Sequence, residues 1–166
     1  MKFDEEFSRA KFLKFSFKLF ALTSLSYSGI NCKLSTNIPK LKEISEEEYF
    51  NIHSVAEIFL KGNPVKNFDI GIALDEYIAG NPYPIPTKEK IHELAFLPSS
   101  LLAALLLDYS ITPLVKLSSE EREKRLLSWK NSNSQIKRGA FAILKQSCMF
   151  LLSSNKEFQL EIGYNV

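Results

Sequence analysis

The sequence predicts an all-α protein, an irregular helical bundle preceded by a signal-like N-terminal helix. Three observations carry this. Ser45-Glu46-Glu47-Glu48 and Ser118-Ser119-Glu120-Glu121 are both capping boxes, in which a serine and a glutamate three residues on satisfy the free N–H groups of a helix start. Apolar residues recur at three- and four-residue spacing through most of the chain, and no stretch shows the strict alternation of a half-buried strand.

In chain order, the head comes first. Lys2, Arg9, Lys11, Lys14 and Lys18 outweigh Asp4, Glu5 and Glu6 in the first eighteen residues, and this excess accounts for the whole net charge of +2. Phe15, Phe17, Leu19, Phe20, Ala21, Leu22 and Leu25 follow as a modest apolar region, shorter and more polar than the ~20 apolar residues of a membrane span. Ser8, Arg9, Phe12, Leu13 and Lys14 resemble the twin-arginine export pattern, with Ala10 standing where the second arginine falls. Phe12, Phe15, Leu19 and Leu22 equally fit one stripe of an ordinary helix. Gly29-Ile30-Asn31 before Cys32 is an approximate lipoprotein box, which offers lipidation at Cys32 as an alternative fate. Residues 1–31 are thus the head, 32–44 a linker containing Pro39, and 45–166 the helical domain.

In that domain, Tyr49, Ile52, His53, Ala56, Phe59 and Leu60 share a helical face closed by Lys61-Gly62, with Ile44 and Tyr49 placed for a hydrophobic staple. A second helix is expected from Asp69 to Ala79, stopped by Gly80. Pro82, Pro84 and Pro86 predict an extended connector, because each ring fixes its own backbone angle and restricts the residue before it. Thr87 opens a third helical segment that Pro98 interrupts or kinks. Leu101 to Leu107 is a seven-residue apolar run, rich in leucine and alanine, and is expected in the middle of the bundle. After Pro113, the second capping box leads a helix carrying Arg122, Arg125, Leu126, Leu127 and Trp129. Asn131 to Ser134 makes a turn, and the last long helix places Ile136, Ala140, Leu144, Cys148 and Leu151 on one face.

With 166 residues and 45% apolar content, the chain has enough material for one sizeable core. Beyond Lys18 the basic and acidic residues cancel, which argues against a phosphate-tracking field and so against nucleic acid. Cys32 and Cys148 lack CxxC spacing or a neighbouring histidine, and read as two unrelated thiols. His53 lies on an apolar stripe and His92 beside Glu93. Phe96 stands where an HExxH motif needs its second histidine, and phosphate-cradling glycine loops and nucleophile elbows are missing. Nothing nominates a catalytic centre, a metal site or a cofactor site. Trp129 fits either a core or an interface. Arg125 one turn before it, and Arg138 with Phe141 on the next helix, set guanidinium groups beside rings, a pairing enriched where proteins bind one another.

Arg125-Leu126-Leu127-x-Trp129-x-x-Ser132, Arg138-x-x-Phe141-x-x-Leu144, Phe150 and Ile162-Gly163-Tyr164 together resemble the gluconate 2-dehydrogenase subunit 3 family, the small subunit of membrane-associated sugar and alcohol dehydrogenases. The likeness spans roughly Ile44 to Tyr164, and a similar block occurs in helical extensions of long-chain alcohol oxidases. It implies an all-helical, non-catalytic subunit with no cofactor of its own. Such a subunit escorts a flavoprotein catalytic subunit of the glucose-methanol-choline type through the twin-arginine route to the periplasm or cell envelope. FAD would belong to that partner, and membrane or cytochrome association would come through the complex. On this reading Arg125, Trp129, Arg138, Phe141 and Tyr164 form the partner surface or its immediate support. The alternative is a stand-alone interaction protein anchored in the envelope by its head or by Cys32.

Overall fold

A computed structural model describes residues 38–164. Ser8, Arg9, Phe12, Leu13, Lys14 and Cys32, which carry the export and lipidation readings, lie outside these residues. The described chain is all-helical, with seven α-helices: α1 (Glu46–Phe59), α2 (Ile70–Gly80), α3 (Ile85–Phe96), α4 (Leu101–Asp108), α5 (Ser119–Lys130), α6 (Gln135–Ser153) and α7 (Lys156–Glu161). Two short 3-10 turns, Leu97–Ser99 and Leu114–Lys116, flank α4.

Helix α1 is the hub and packs against α2, α3, α5 and α6. Both predicted capping boxes form, with the Ser45 and Ser118 side chains accepting from the N–H groups of Glu48 and Glu121. The first has a second function. Glu48, buried, takes the Ser45 N–H at 2.7 Å with one carboxylate oxygen and meets His92 Nδ1 of α3 at 2.5 Å with the other. One side chain therefore starts α1 and fastens α3 to it.

The core gathers Ile52, Val55 and Ala56 from α1, Ile70, Leu74 and Ile78 from α2, Leu126 and Trp129 from α5, and Leu144, Cys148 and Leu151 from α6. Gly71 permits the closest approach of α1 and α2, since the ring of Tyr49 lies where a Cβ would stand, 2.2 Å from Tyr49 Cδ2. Arg122 is buried and acts as a peg. Its guanidinium donates to the carbonyls of Ser54, Leu114 and Leu117 and reaches Glu57, which joins α5 to α1 and to the 3-10 turn.

Several sequence expectations are corrected. The backbone of Lys42, Glu43 and Ile44, at the end of the linker, is tied to α2, where Asp75 accepts their N–H groups at 2.7–3.0 Å. Pro86 sits in the first turn of α3, where a missing N–H costs nothing. Gly80 is the last helical residue of α2 and is not a left-handed stop. Pro98 does break the third segment, and the axes on either side differ by 68°. The run from Leu101 to Leu107 is not central: an eight-residue helix at the edge of the packing buries only Ala104 and Leu107. Ile136 likewise falls in the first turn of α6, ahead of the buried stretch Leu144–Leu152, and is exposed.

Candidate functional site

The residues singled out in the family-like block separate into a framework and a surface. Trp129 is 1% exposed, in the core, and its indole N–H donates to both Asp108 oxygens at 2.7 and 2.9 Å. Arg125 stands 3.7 Å from the same carboxylate and donates to the Thr112 carbonyl at 2.6 Å and to Ser110 Oγ. Lys137 at the start of α6 adds a third contact to Asp108, at 3.4 Å. Phe141 meets Phe59 of α1 edge-on, with centroids 5.3 Å apart. These side chains fix the α5–α6 pair to the bundle.

Arg138 is at the surface and donates to the Ser132 carbonyl, closing the turn between α5 and α6. Tyr164 is also exposed, and its N–H returns to the Gln159 carbonyl while the Gly163 N–H, at φ 83°, returns to Leu160. This is a Schellman stop, so Ile162-Gly163-Tyr164 terminates α7. Beside these, α6 and α7 leave Ile143, Met149, Phe150, Leu160 and Ile162 exposed.

Helix α6 also forms one wall of an open groove of about 420 Å³. Tyr77 of α2, Tyr83, Ile91 and Leu94 of α3 and its approach, and Ile143 and Phe150 of α6 are the main lining, with Gln146, Ser147 and Thr87 as its polar members. Tyr77 is fixed there by an edge contact with Phe150 and a hydroxyl pair with Tyr83. The groove is open and predominantly apolar.

Two histidine–carboxylate pairs are the remaining polar clusters of note. His53 Nε2 lies 2.9 Å from Asp69 Oδ1, and the Tyr49 hydroxyl donates to Asp69 Oδ2 at 2.6 Å. The Gly71 N–H also points at Nε2, from 3.4 Å, but one ring nitrogen cannot both donate to Asp69 and accept from Gly71. The shorter contact decides for donation. Burial works to raise the Asp69 carboxyl, but donation from Tyr49, the Ile72 N–H and His53 outweighs it and holds the group below the usual carboxylate range. Burial, with Asp69 beside it, pushes the Tyr49 phenol up to about 12. Neither His53 nor His92 lines the groove beside α6. Among the described residues no group of three or more His, Cys, Asp or Glu side chains could hold a metal. Burial raises the Cys148 thiol to about 12, so it is a packing residue and an inert nucleophile.

Sequence reasoning missed Asp108, Asp75 and Arg122. Asp108 had a visible signal, since it is the single charged residue between Glu93 and Lys116. No family profile, curated protein or solved structure matches this chain. Fold and surface define an all-α protein with an apolar groove between α2, α3 and α6.

Proposed function

We propose that this chain is an exported accessory subunit that escorts and binds a FAD-dependent dehydrogenase of the glucose-methanol-choline type, contributing no cofactor and no catalytic residue. The observation that supports the reading most directly is the groove along α6. Its apolar wall, Ile143 and Phe150, lies on the helix that carries the family-like block, and Phe150 is itself part of that block. Arg125, Trp129 and Phe141 brace the α5–α6 pair that carries this surface, whereas Arg138, near the start of α6, and Tyr164, after α7, are exposed. The Ser8–Lys14 pattern is the basis of the export half of the proposal, with the periplasm or envelope as destination.

Affinity capture from the native host tests the binding half, and recovery of the chain in the periplasmic or envelope fraction tests the export half. The tagged full chain is expected to bring down a flavoprotein with the visible absorption of bound FAD. Ile143→Asp with Phe150→Asp is expected to reduce that capture at least about tenfold while leaving helicity intact, since a charge in an apolar interface core costs well over the 1.4 kcal/mol that a factor of ten represents. Capture of no flavoprotein by the unmodified chain would discard the reading.

A further inference from the structure

The net charge hides a segregation. From Lys124 to Lys156 the chain carries Lys124, Arg125, Lys130, Lys137, Arg138, Lys145 and Lys156 and no acidic residue. The loop that Asp108 opens lies against the α5–α6 pair and belongs to the opposite kind of segment, Leu94 to Val115, whose single charge is Asp108. That carboxylate is already engaged by Trp129, Arg125 and Lys137. The tip of this apolar shoulder is therefore set beside the acid-free run, with Glu121, one turn before Arg125, as the acidic group on its other side.

The shoulder is exposed and it protrudes. Leu101, Leu105 and Leu106 form the outer side of α4, and beyond its end Tyr109 is 91% exposed and Ile111 79% exposed. Exposure that high means side chains standing clear of the surface, a shape unlike the flat or concave patch on which a folded partner packs. Tyr109 also holds a left-handed backbone (φ 53°), the only such non-glycine residue described. The usual occupant of this position at a helix end is glycine. An aromatic there carries backbone strain with no packing of its ring to offset it, a combination that points to function. The residues around it are pinned: the Ser110 N–H returns to the Ala104 carbonyl, and Arg125 bonds Ser110 Oγ and the Thr112 carbonyl. The tip is thus a rigid wedge.

We infer that this shoulder is a membrane-surface contact: Leu105, Leu106, Tyr109 and Ile111 enter the boundary between headgroups and acyl chains of an anionic bilayer, and Lys130 and Arg138 face its phosphates. Leucine and isoleucine supply the buried apolar area, a tyrosine suits the headgroup level, and basic side chains add attraction to anionic lipid. Among the described residues no single helix is long and apolar enough to cross a membrane. This inference concerns α4 and the loop after it, whereas the flavoprotein proposal concerns the groove between α3 and α6; Arg138 alone belongs to both.

The test uses the full chain with an Ile111→Trp reporter and vesicles of phosphatidylcholine alone or mixed with an equal part of phosphatidylglycerol. Buried Trp129 gives a constant background. On the mixed vesicles, emission from position 111 is expected to shift to shorter wavelength and to be quenched by brominated acyl chains. Lys130→Glu with Arg138→Glu is expected to weaken that binding at least about tenfold, in line with the attraction that each basic residue contributes near an anionic surface. Because the reporter reads only the shoulder, membrane binding by the N-terminal head does not imitate the signal. Three results would overturn the inference: vesicle-bound protein with unchanged emission, equal binding to both vesicle types, or a concentration-dependent dimer that buries position 111 without lipid. The charge-reversal pair leaves the tip intact, so a misfolded tip variant does not remove the test.

Discussion

Tyr109 and Gly71 are mirror cases of one constraint, the space around a Cβ. At Tyr109 the left-handed backbone costs roughly 1–2 kcal/mol for any residue with a Cβ, and glycine gives back part of this through its larger unfolded-state entropy. Tyr109→Gly is therefore expected to stabilise the fold by about 0.5–1 kcal/mol, seen as a higher urea midpoint, while removing the wedge that reaches lipid. At Gly71 the sign reverses, because an added Cβ meets the Tyr49 ring at 2.2 Å. Gly71→Ala is expected to destabilise by about 1–3 kcal/mol, and Tyr49→Leu in the same chain to recover part of that loss, a non-additivity that a double-mutant cycle measures. The sequence showed Gly71 only as an isolated glycine. Its role depends on where α1 crosses α2, which no local pattern encodes.

The elements divide the same way, by whether their determinants are local. Each capping box was legible because serine, glutamate and the N–H groups they satisfy lie within four residues, and both form as read. Their weights differ. At Ser118 the bonds are exposed, and the Ser118 hydroxyl and N–H hold the Glu121 carboxyl below its ordinary value. At Ser45 the partner Glu48 is buried and shared with His92. Ser118→Ala is expected to lower stability by about 1 kcal/mol. Ser45→Ala should cost more, because it leaves a buried carboxylate with one fewer donor; equal shifts in urea midpoint would show that the Glu48–His92 link adds nothing. What stayed illegible was how much of each apolar face finds a partner. Leu101–Leu107 is wholly apolar and Leu144–Leu152 is interrupted by Lys145, Gln146 and Ser147, yet the second lies along α1 and α2 whereas the first buries only Ala104 and Leu107. Arg122 was read as one more cation of α5, although the carbonyls that engage it come from α1 and from the approach to α5 itself.

For the molecule as a whole, two aspartates tie the bundle's entry to its second helix, and their protonation sets its acid limit. Asp75 is buried, which by itself raises its carboxyl, but the N–H groups of Glu43, Ile44 and Lys42 and the nearby Lys42 charge bring it below the ordinary value. Asp69, the N-cap of α2, is lowered as described above. Both are carboxylates whose folded-state value lies under the unfolded one, so the unfolded chain binds more protons in the interval between the two. Their stabilising contribution is then complete above the unfolded value of roughly 3.9 and disappears as pH falls through it towards the folded value. Urea midpoints are expected to be flat from neutral pH to about pH 5 and to drop steeply below it. Asp75→Asn removes one titrating group and should make that acid slope shallower, at the cost of a lower plateau, since an amide oxygen is a weaker acceptor for three N–H groups than a carboxylate. If the plateau falls and the slope is unchanged, Asp75 shapes the entry segment without carrying the acid response, and Asp69 at the start of α2 is left as its source.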